Sequence, residues 1–219
     1  DEVMEIFPAS RPTGLKHGTV TVVIGSHAVE VTTFRSDGAY SDHRRPDNIS
    51  FVTDLTQDLS RRDFTMNAIA LSPDGLTADP FGGIEDIAHR TVRCVGEPDV
   101  RFEEDALRMF RALRFAARLD FIIEGRTYEA IGNKAYLAAD LAAERVRDEL
   151  EKTLLTAHTQ RVGEMIDLGL LEKYIPGRGW AKPDFSVIAG ISKKAMPRWA
   201  VFCALLEKNG YIPSAGAFL

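Results

Sequence analysis

Two opposite rhythms of apolar and polar positions divide the chain. HGTVTVVIGSHAVEVTTF, His17 to Phe34, is two β-branched runs around Gly25-Ser26-His27, a pattern that predicts a hairpin. From Glu103 onward the period changes. Leu107, Phe110, Leu113 and Ala117 recur at spacings of three and four, as one face of an amphipathic helix requires, and EEDALRMFRALRF reads as a single helix from Glu103 to Phe115. Further helices are expected over Thr127 to Ala138, Ala142 to Ala157, Gln160 to Leu168 and Met196 to Lys208, with Gly132, Gly163 and Gly169 as breaks. Between the two regimes, SDGAYSDHRRPDNISF (Ser36 to Phe51) reads as a polar loop, and DPFGGIEDI (Asp79 to Ile87) as a turn-rich connector. Ser60-Arg61-Arg62-Asp63 resembles a capping box ahead of a helix over FTMNAIAL. The layout is a small α/β unit over the first hundred residues followed by an α-helical one.

Composition changes this picture little. The 219 residues can bury a sizeable core, and 45% hydrophobic with 27% charged is ordinary for a globular chain. A formal net charge of -5 gives no bulk attraction to nucleic acid, so any such contact must come from local patches. Two cysteines, Cys94 and Cys203, make neither a CxxC pair nor a disulfide framework, which suits a reducing cytosol. No apolar run reaches the ~20 residues of a membrane span, and DEVMEIFPAS lacks the regions of a signal peptide.

The candidate chemistry concentrates on the Glu103 helix. Acids in a first helical turn are explained by the macrodipole at about 0.3–1 kcal/mol each, and arginines on one face by solvation and weak pairing. Yet Arg108, Arg111, Arg114 and Arg118 fall within eleven residues and no lysine accompanies them. Arginine is the side chain suited to planar, two-pronged recognition. On one helix, Asp105 and Arg108 would project toward the same side. A carboxylate only accepts hydrogen bonds and a guanidinium only donates them. The pairing edges of cytosine and adenine offer an amino donor beside a ring-nitrogen acceptor, whereas uracil and guanine offer the reverse. Such a pair therefore accepts C and A and rejects U and G. Arg61, Arg62 and Asp63 have a bland reading as a cap with surface arginines, and a functional one: arginine on a triphosphate, with Asp63 or Asn67 on a ribose hydroxyl. Glu30, between Val29 and Val31 on the predicted strand, is either a solvated acid or one ligand of a metal site for nucleotidyl transfer.

Five stretches together resemble one family: VEVTTFRSDGAYSDHRRP (29–46), DLSRRDFTMNAIAL (58–71), DPFGGIEDIAHRTVRCVG (79–96), RFEEDALRMFRALRFAARLDF (101–121) and AERVRDELEKTLL (143–155). They are similar, in order, to the class II tRNA nucleotidyltransferases and bacterial poly(A) polymerases of the DNA polymerase β superfamily. The resemblance implies an α+β fold. Its parts are a partial polymerase-β-like head with an antiparallel or mixed sheet (1–92), an all-α nucleotide-selecting neck (93–158) and part of a helical body (159–219). It implies that Asp105 and Arg108 form the base template, that Arg62, Arg111 and Arg114 contact the nucleotide, and that Asp63 and Asn67 lie near the sugar. Glu30 matches the third acidic position of the palm, Ser36 to Ser50 the loop that helps switch from C to A addition, and Arg145 and Glu149 a motif that braces the neck. The implied activity is extension of tRNA 3′ ends with C, C and A from CTP and ATP, with Mg²⁺ as cofactor, in the cytoplasm. Lys173, Arg178, Lys182, Lys193, Lys194 and Arg198 are the basic residues available to the tRNA. The family's glycine-rich turn and Asp-x-Asp metal ligands correspond to positions ahead of Asp1, and we expect that segment to precede these residues. Poly(A) polymerase, or a nucleotide- or RNA-binding module without catalysis, are the alternatives.

Overall fold

The computed structural model describes residues 2–15, 18–38, 40, 46, 48–175 and 177–214. His17 of the predicted hairpin, Pro176, and positions 39, 41–45 and 47 of the predicted loop lie outside them. The chain divides into two compact units, Asp1–Ala39 with Pro46–Arg61, and Tyr40–Arg45 with Arg62–Leu219.

In the first unit, α1 (Glu2–Ile6) precedes an antiparallel sheet of β1 (Ser10–Gly14), β2 (Thr19–Ile24) and β3 (His27–Thr32), in that order. Ile24 pairs with His27, leaving Gly25-Ser26 as a two-residue turn. Gly25 has φ 60, a left-handed backbone that glycine adopts without penalty. Val20 and Val22 of β2 are buried, two residues apart on one face as the strand period demands. β4 (Arg35–Asp37) and β5 (Ile49–Phe51) form a second antiparallel pair, and α2 (Leu55–Ser60) follows. Its N-cap is Asp54, which accepts the Thr56 N–H at 2.8 Å. Buried Asp58 accepts from Arg61 Nη2 at 2.6 Å and from the Arg35 N–H at 3.2 Å, tying the helix to β4.

The second unit begins with a 3₁₀ turn, Thr65–Asn67, then β6 (Ala70–Leu71) antiparallel to β7 (Thr77–Ala78), α3 (Gly83–Ala88) and β8 (Thr91–Val92). α4 (Pro98–Glu104) and α5 (Leu107–Leu119) lead to β9 (Ile122–Ile123), which lies parallel to β8. α6 (Gly125–Lys134), a 3₁₀ segment Ala135–Asp140, α7 (Ala143–Leu154), α8 (Arg161–Asp167), a 3₁₀ segment Phe185–Gly190 and α9 (Ala195–Lys208) complete it. α5 is the central helix. Leu107, Phe110, Leu113 and Ala117 are buried on one face, while Met109, Ala112 and Ala116 are buried on the other. The small residues let neighbouring helices approach, and Val146, Leu150 and Leu154 of α7 belong to the same core. Each fully buried leucine or phenylalanine here contributes about 1.5–3 kcal/mol. Among the described residues no helix is long and apolar enough to cross a membrane.

Two expectations are overturned. Glu103 to Phe115 is not one helix: α4 ends at Glu104, and Asp105 is its C-cap with extended backbone (φ -144, ψ 102) before α5 starts. Glu103 and Glu104 therefore close a helix rather than open one. FTMNAIAL is not a helix either. Ser60 is the last residue of α2, and the chain is extended at Phe64, which bridges Cys94. The Val95 N–H donates to the Asp63 carbonyl (3.1 Å) and the Thr65 N–H to the Arg93 carbonyl (3.0 Å), so pairing with a distant segment overrides local propensity. The later helices begin and end within a few residues of expectation. Gly132 and Gly163 sit inside α6 and α8, and Gly169, at φ 79, follows the end of α8.

Cys94 and Cys203 are both buried and free. Burial pushes the Cys94 thiol up to about 12, against the opposing hydrogen bond with Thr127, and burial raises Cys203 as well. Neither supplies thiolate at neutral pH. A disulfide reagent is thus expected to modify the folded protein only at the rate of unfolding, and rapid labelling under native conditions would contradict this packing.

Candidate functional site

The second unit gathers a set of arginines and carboxylates at two neighbouring points of α5. Phe64 is fixed by its bridge to Cys94, which directs the flanking side chains. Asp63, 9% exposed, accepts from the Phe64 N–H (2.9 Å) and from Asn67 Nδ2 (3.0 Å) on one oxygen. Its other oxygen accepts from Arg111 Nε (2.8 Å) and Nη2 (2.6 Å), a two-pronged charged contact. Arg111 also lies 5.4 Å from the Phe115 ring centroid. Asp63, Asn67 and Arg111 thus form one bracket, joined across 48 residues of sequence. Arg62 is exposed beside it, with Nη1 3.4 Å from the Asn67 carbonyl.

The second point is the α4–α5 break. Asp105 accepts from the Leu107 N–H at 3.1 Å, which starts α5, and from Arg145 Nη2 of α7 at 3.2 and 3.4 Å. Arg108, 8% exposed, donates through Nη1 to Glu104 (2.6 Å) and to the Arg101 carbonyl (3.1 Å). Burial opposes its charge, but the Glu104 hydrogen bond and charge outweigh that and hold its pKa above the ordinary value. The two residues therefore do not share a helix face. They flank the break, and each is held by an oppositely charged neighbour. Nη1 of Arg145 is buried and, among the described residues, has no acceptor, leaving an unmet donor beside Asp105.

Arg114 stands elsewhere. It is 6% exposed, ion-paired with buried Glu149 of α7 and 4.0 Å from the Phe115 ring centroid. Arg145 and Glu149 sit one turn apart on α7, so this helix grips Asp105 with one side chain and Arg114 with the next. Sequence reading noted both α7 residues but could not name their partners 40 and 35 positions away.

Glu30 lies on β3 in the first unit, exposed and opposite Thr21. Among the described residues no three His, Cys, Asp or Glu side chains come together as a metal site, at Glu30 or elsewhere. Glu30 by itself does not make a metal site.

Arg198 corrects another expectation. It is 1% exposed, so it is not available to RNA. Its guanidinium donates to the carbonyls of Leu154 (2.5 Å) and Thr156 (2.6 Å) at the end of α7, and to those of Ala189, Ile191 and Ser192 (each 3.2 Å). Five donors meet five carbonyls at the ends of α7 and of the Phe185–Gly190 segment. Lys173 is likewise engaged with the Ala139 carbonyl (2.6 Å) and Lys182 with Asp167, while Arg178, Lys193 and Lys194 are exposed.

This mixed α+β architecture, with an arginine–carboxylate bracket on its central helix, is that of a polymerase-β-like nucleotidyltransferase head followed by helices. A family model described as the poly A polymerase head domain matches residues 1–93, and one described as a probable RNA and SrmB-binding site of polymerase A matches residues 120–178. The CCA-adding enzyme of Geobacillus thermodenitrificans is 45% identical over 210 residues, 94% of this chain and 52% of that protein. A crystal structure of the Bacillus stearothermophilus CCA-adding enzyme in complex with CTP superposes with TM-score 0.79 at 39% identity, over 93% of this chain and 50% of that one. The Thermotoga maritima CCA-adding enzyme complexed with tRNA shares the fold (TM-score 0.72, 23% identity, 93% of this chain and 50% of that one). The chain belongs to the family of tRNA nucleotidyltransferases and bacterial poly(A) polymerases. It spans about half the length of the curated relatives it matches.

Proposed function

We propose that this chain is the nucleotide-selecting part of an enzyme that adds C, C and A to tRNA 3′ ends from CTP and ATP. Residues 1–92 are its share of the head, 93–158 the neck and 159–219 part of the body, in a cytoplasmic protein. The terminal 3′-hydroxyl attacks the α-phosphate in line and pyrophosphate leaves. Arg62 and Arg111 meet the phosphate charge, while Asp63 and Asn67 accept from the ribose hydroxyls. Asp105 accepts the exocyclic amine of cytosine or adenine, and Arg108 donates to the adjacent ring nitrogen. For both to engage a base, Arg145 and Glu104 must share or release them. Arg114 belongs to the nucleotide pocket through Phe115, the ring it shares with Arg111. Mg²⁺ would neutralise the triphosphate and lower the pKa of the attacking hydroxyl, with Glu30 the one acid of this chain assigned to it.

The observation that carries the reading is geometric. Asp105 and Arg108 lie at a helix break three to six residues before Arg111, the residue that holds the Asp63–Asn67 bracket. That arrangement occurs in a chain 45% identical to CCA-adding enzymes. The test is to incubate the full-length protein with Mg²⁺, all four nucleotides and a tRNA transcript ending at its discriminator base, then sequence the 3′ end. CCA is the expected product. A run of A on this and unrelated RNAs would select the poly(A) polymerase reading instead. No addition by folded protein would leave a binding module.

A further inference from the structure

The connector DPFGGIEDI is more than a turn. Asp79 accepts the N–H groups of Gly83 (2.7 Å) and Ile84 (2.9 Å) and so opens α3, after Gly82 at φ 74 turns the chain. Gly83 then meets the 3₁₀ turn directly: a Cβ at this position would fall on the Thr65 carbonyl. Within α3, buried Asp86 accepts the Thr65 hydroxyl, and it accepts Arg93 Nε at 2.9 Å and Nη2 at 2.9 Å. Arg93 Nη2 also donates to the Phe81 carbonyl at 3.0 Å, and its backbone carbonyl takes the Thr65 N–H at 3.0 Å. Thr65 is therefore gripped at its N–H, its hydroxyl and its carbonyl. Two residues before it stands Asp63 and two after it Asn67, whose side chains are bonded to each other.

We infer that Asp86 and Arg93 are positioning residues for sugar selection: through Thr65 they fix the spacing of Asp63 and Asn67, and that spacing sets preference for a ribonucleotide over its 2′-deoxy counterpart. The inference rests on the proposed function above, in which the bracket reads ribose. A hydroxyl that donates to a fixed acceptor loses its hydrogen bond when the acceptor turns out of line or leaves hydrogen-bond range, whereas phosphate contacts are long-ranged and tolerate such a change. Loosening Thr65 should thus cost the ribonucleotide more than the deoxynucleotide. A purely structural Asp86 would lower both rates together.

The test uses the full-length enzyme and the ratio of kcat/KM for CTP to that for dCTP on a tRNA lacking its terminal nucleotides. Thr65→Val keeps volume and removes the hydroxyl, and Asp86→Asn keeps size and removes the charge. Each is expected to lower the ratio about tenfold, the weight of one lost hydrogen bond. Asp63→Asn is the control. A lowered ratio in Asp63→Asn with unchanged ratios in Thr65→Val and Asp86→Asn would overturn the positioning inference alone. An unchanged ratio in Asp63→Asn would overturn the ribose reading, and the inference with it. Thr65→Val serves if Asp86→Asn fails to fold.

Discussion

In an Asp105→Ala variant, discrimination of CTP and ATP against UTP and GTP is expected to collapse by on the order of 10³-fold. A carboxylate offers only acceptors. Uracil O4 or guanine O6 facing it sets an acceptor against an acceptor, beside the buried Arg108. Removing the carboxylate removes the conflict, so the rejected bases gain as the accepted ones lose. Asp105 also holds the first N–H of α5 and the Arg145 guanidinium, and loss of that structural work costs about 1 kcal/mol. Asp105→Asn separates the two effects, because its amide oxygen still accepts from Leu107 while its NH₂ adds a donor. Initial rates with each nucleotide on a tRNA lacking CCA decide the matter. Four rates falling by one common factor would reduce Asp105 to a helix-start residue and remove the template from the proposal.

The second large effect concerns stability. Arg198→Met is expected to lower unfolding free energy by about 3–5 kcal/mol, because five carbonyls lose a charged donor inside the protein. For a protein of this size that is a drop in Tm on the order of 10 °C. Methionine matches the stem of the arginine, so cavity formation adds little. Arg198→Lys should recover only part of the loss, since one ammonium cannot span carbonyls from the end of α7 and from Ala189, Ile191 and Ser192 together. Thermal melts of the three proteins measure this. An Arg198→Met melt within 2 °C or so of the parent would mean that the carbonyls find other partners.

Much of the architecture was legible because its causes are local. The hairpin followed from β-branched runs around Gly25-Ser26, and α6 through α9 from apolar spacing, each within a few residues of its observed ends. The failures share one cause, contacts between segments far apart in sequence. Apolar periodicity runs unbroken through Ala106 and Leu107, so nothing local signals that Asp105 closes α4; Arg145, 40 residues on, is part of what holds it there. FTMNAIAL has helical propensity, yet pairing of Asp63 and Thr65 with residues 93–95 extends it. Arg198 looks like a surface charge among lysines until the ends of α7 and the Phe185–Gly190 segment converge on it. For the site, chemistry-bearing residues could be named from spacing and resemblance, but their partners Glu104, Arg145 and Glu149 could not.

The deep burial of both thiols has a practical consequence for observing this molecule at work. Within these 219 residues the native surface is silent to maleimides, so a cysteine introduced at an exposed position becomes the single addressable handle. One label on α4, at Asp99, and a second on α6, at Glu129, would report the separation of the two helices by dipolar spectroscopy, with neither Cys94 nor Cys203 to remove first. The chain thus supplies its own background for asking whether the α4–α5 break bends when a nucleotide arrives.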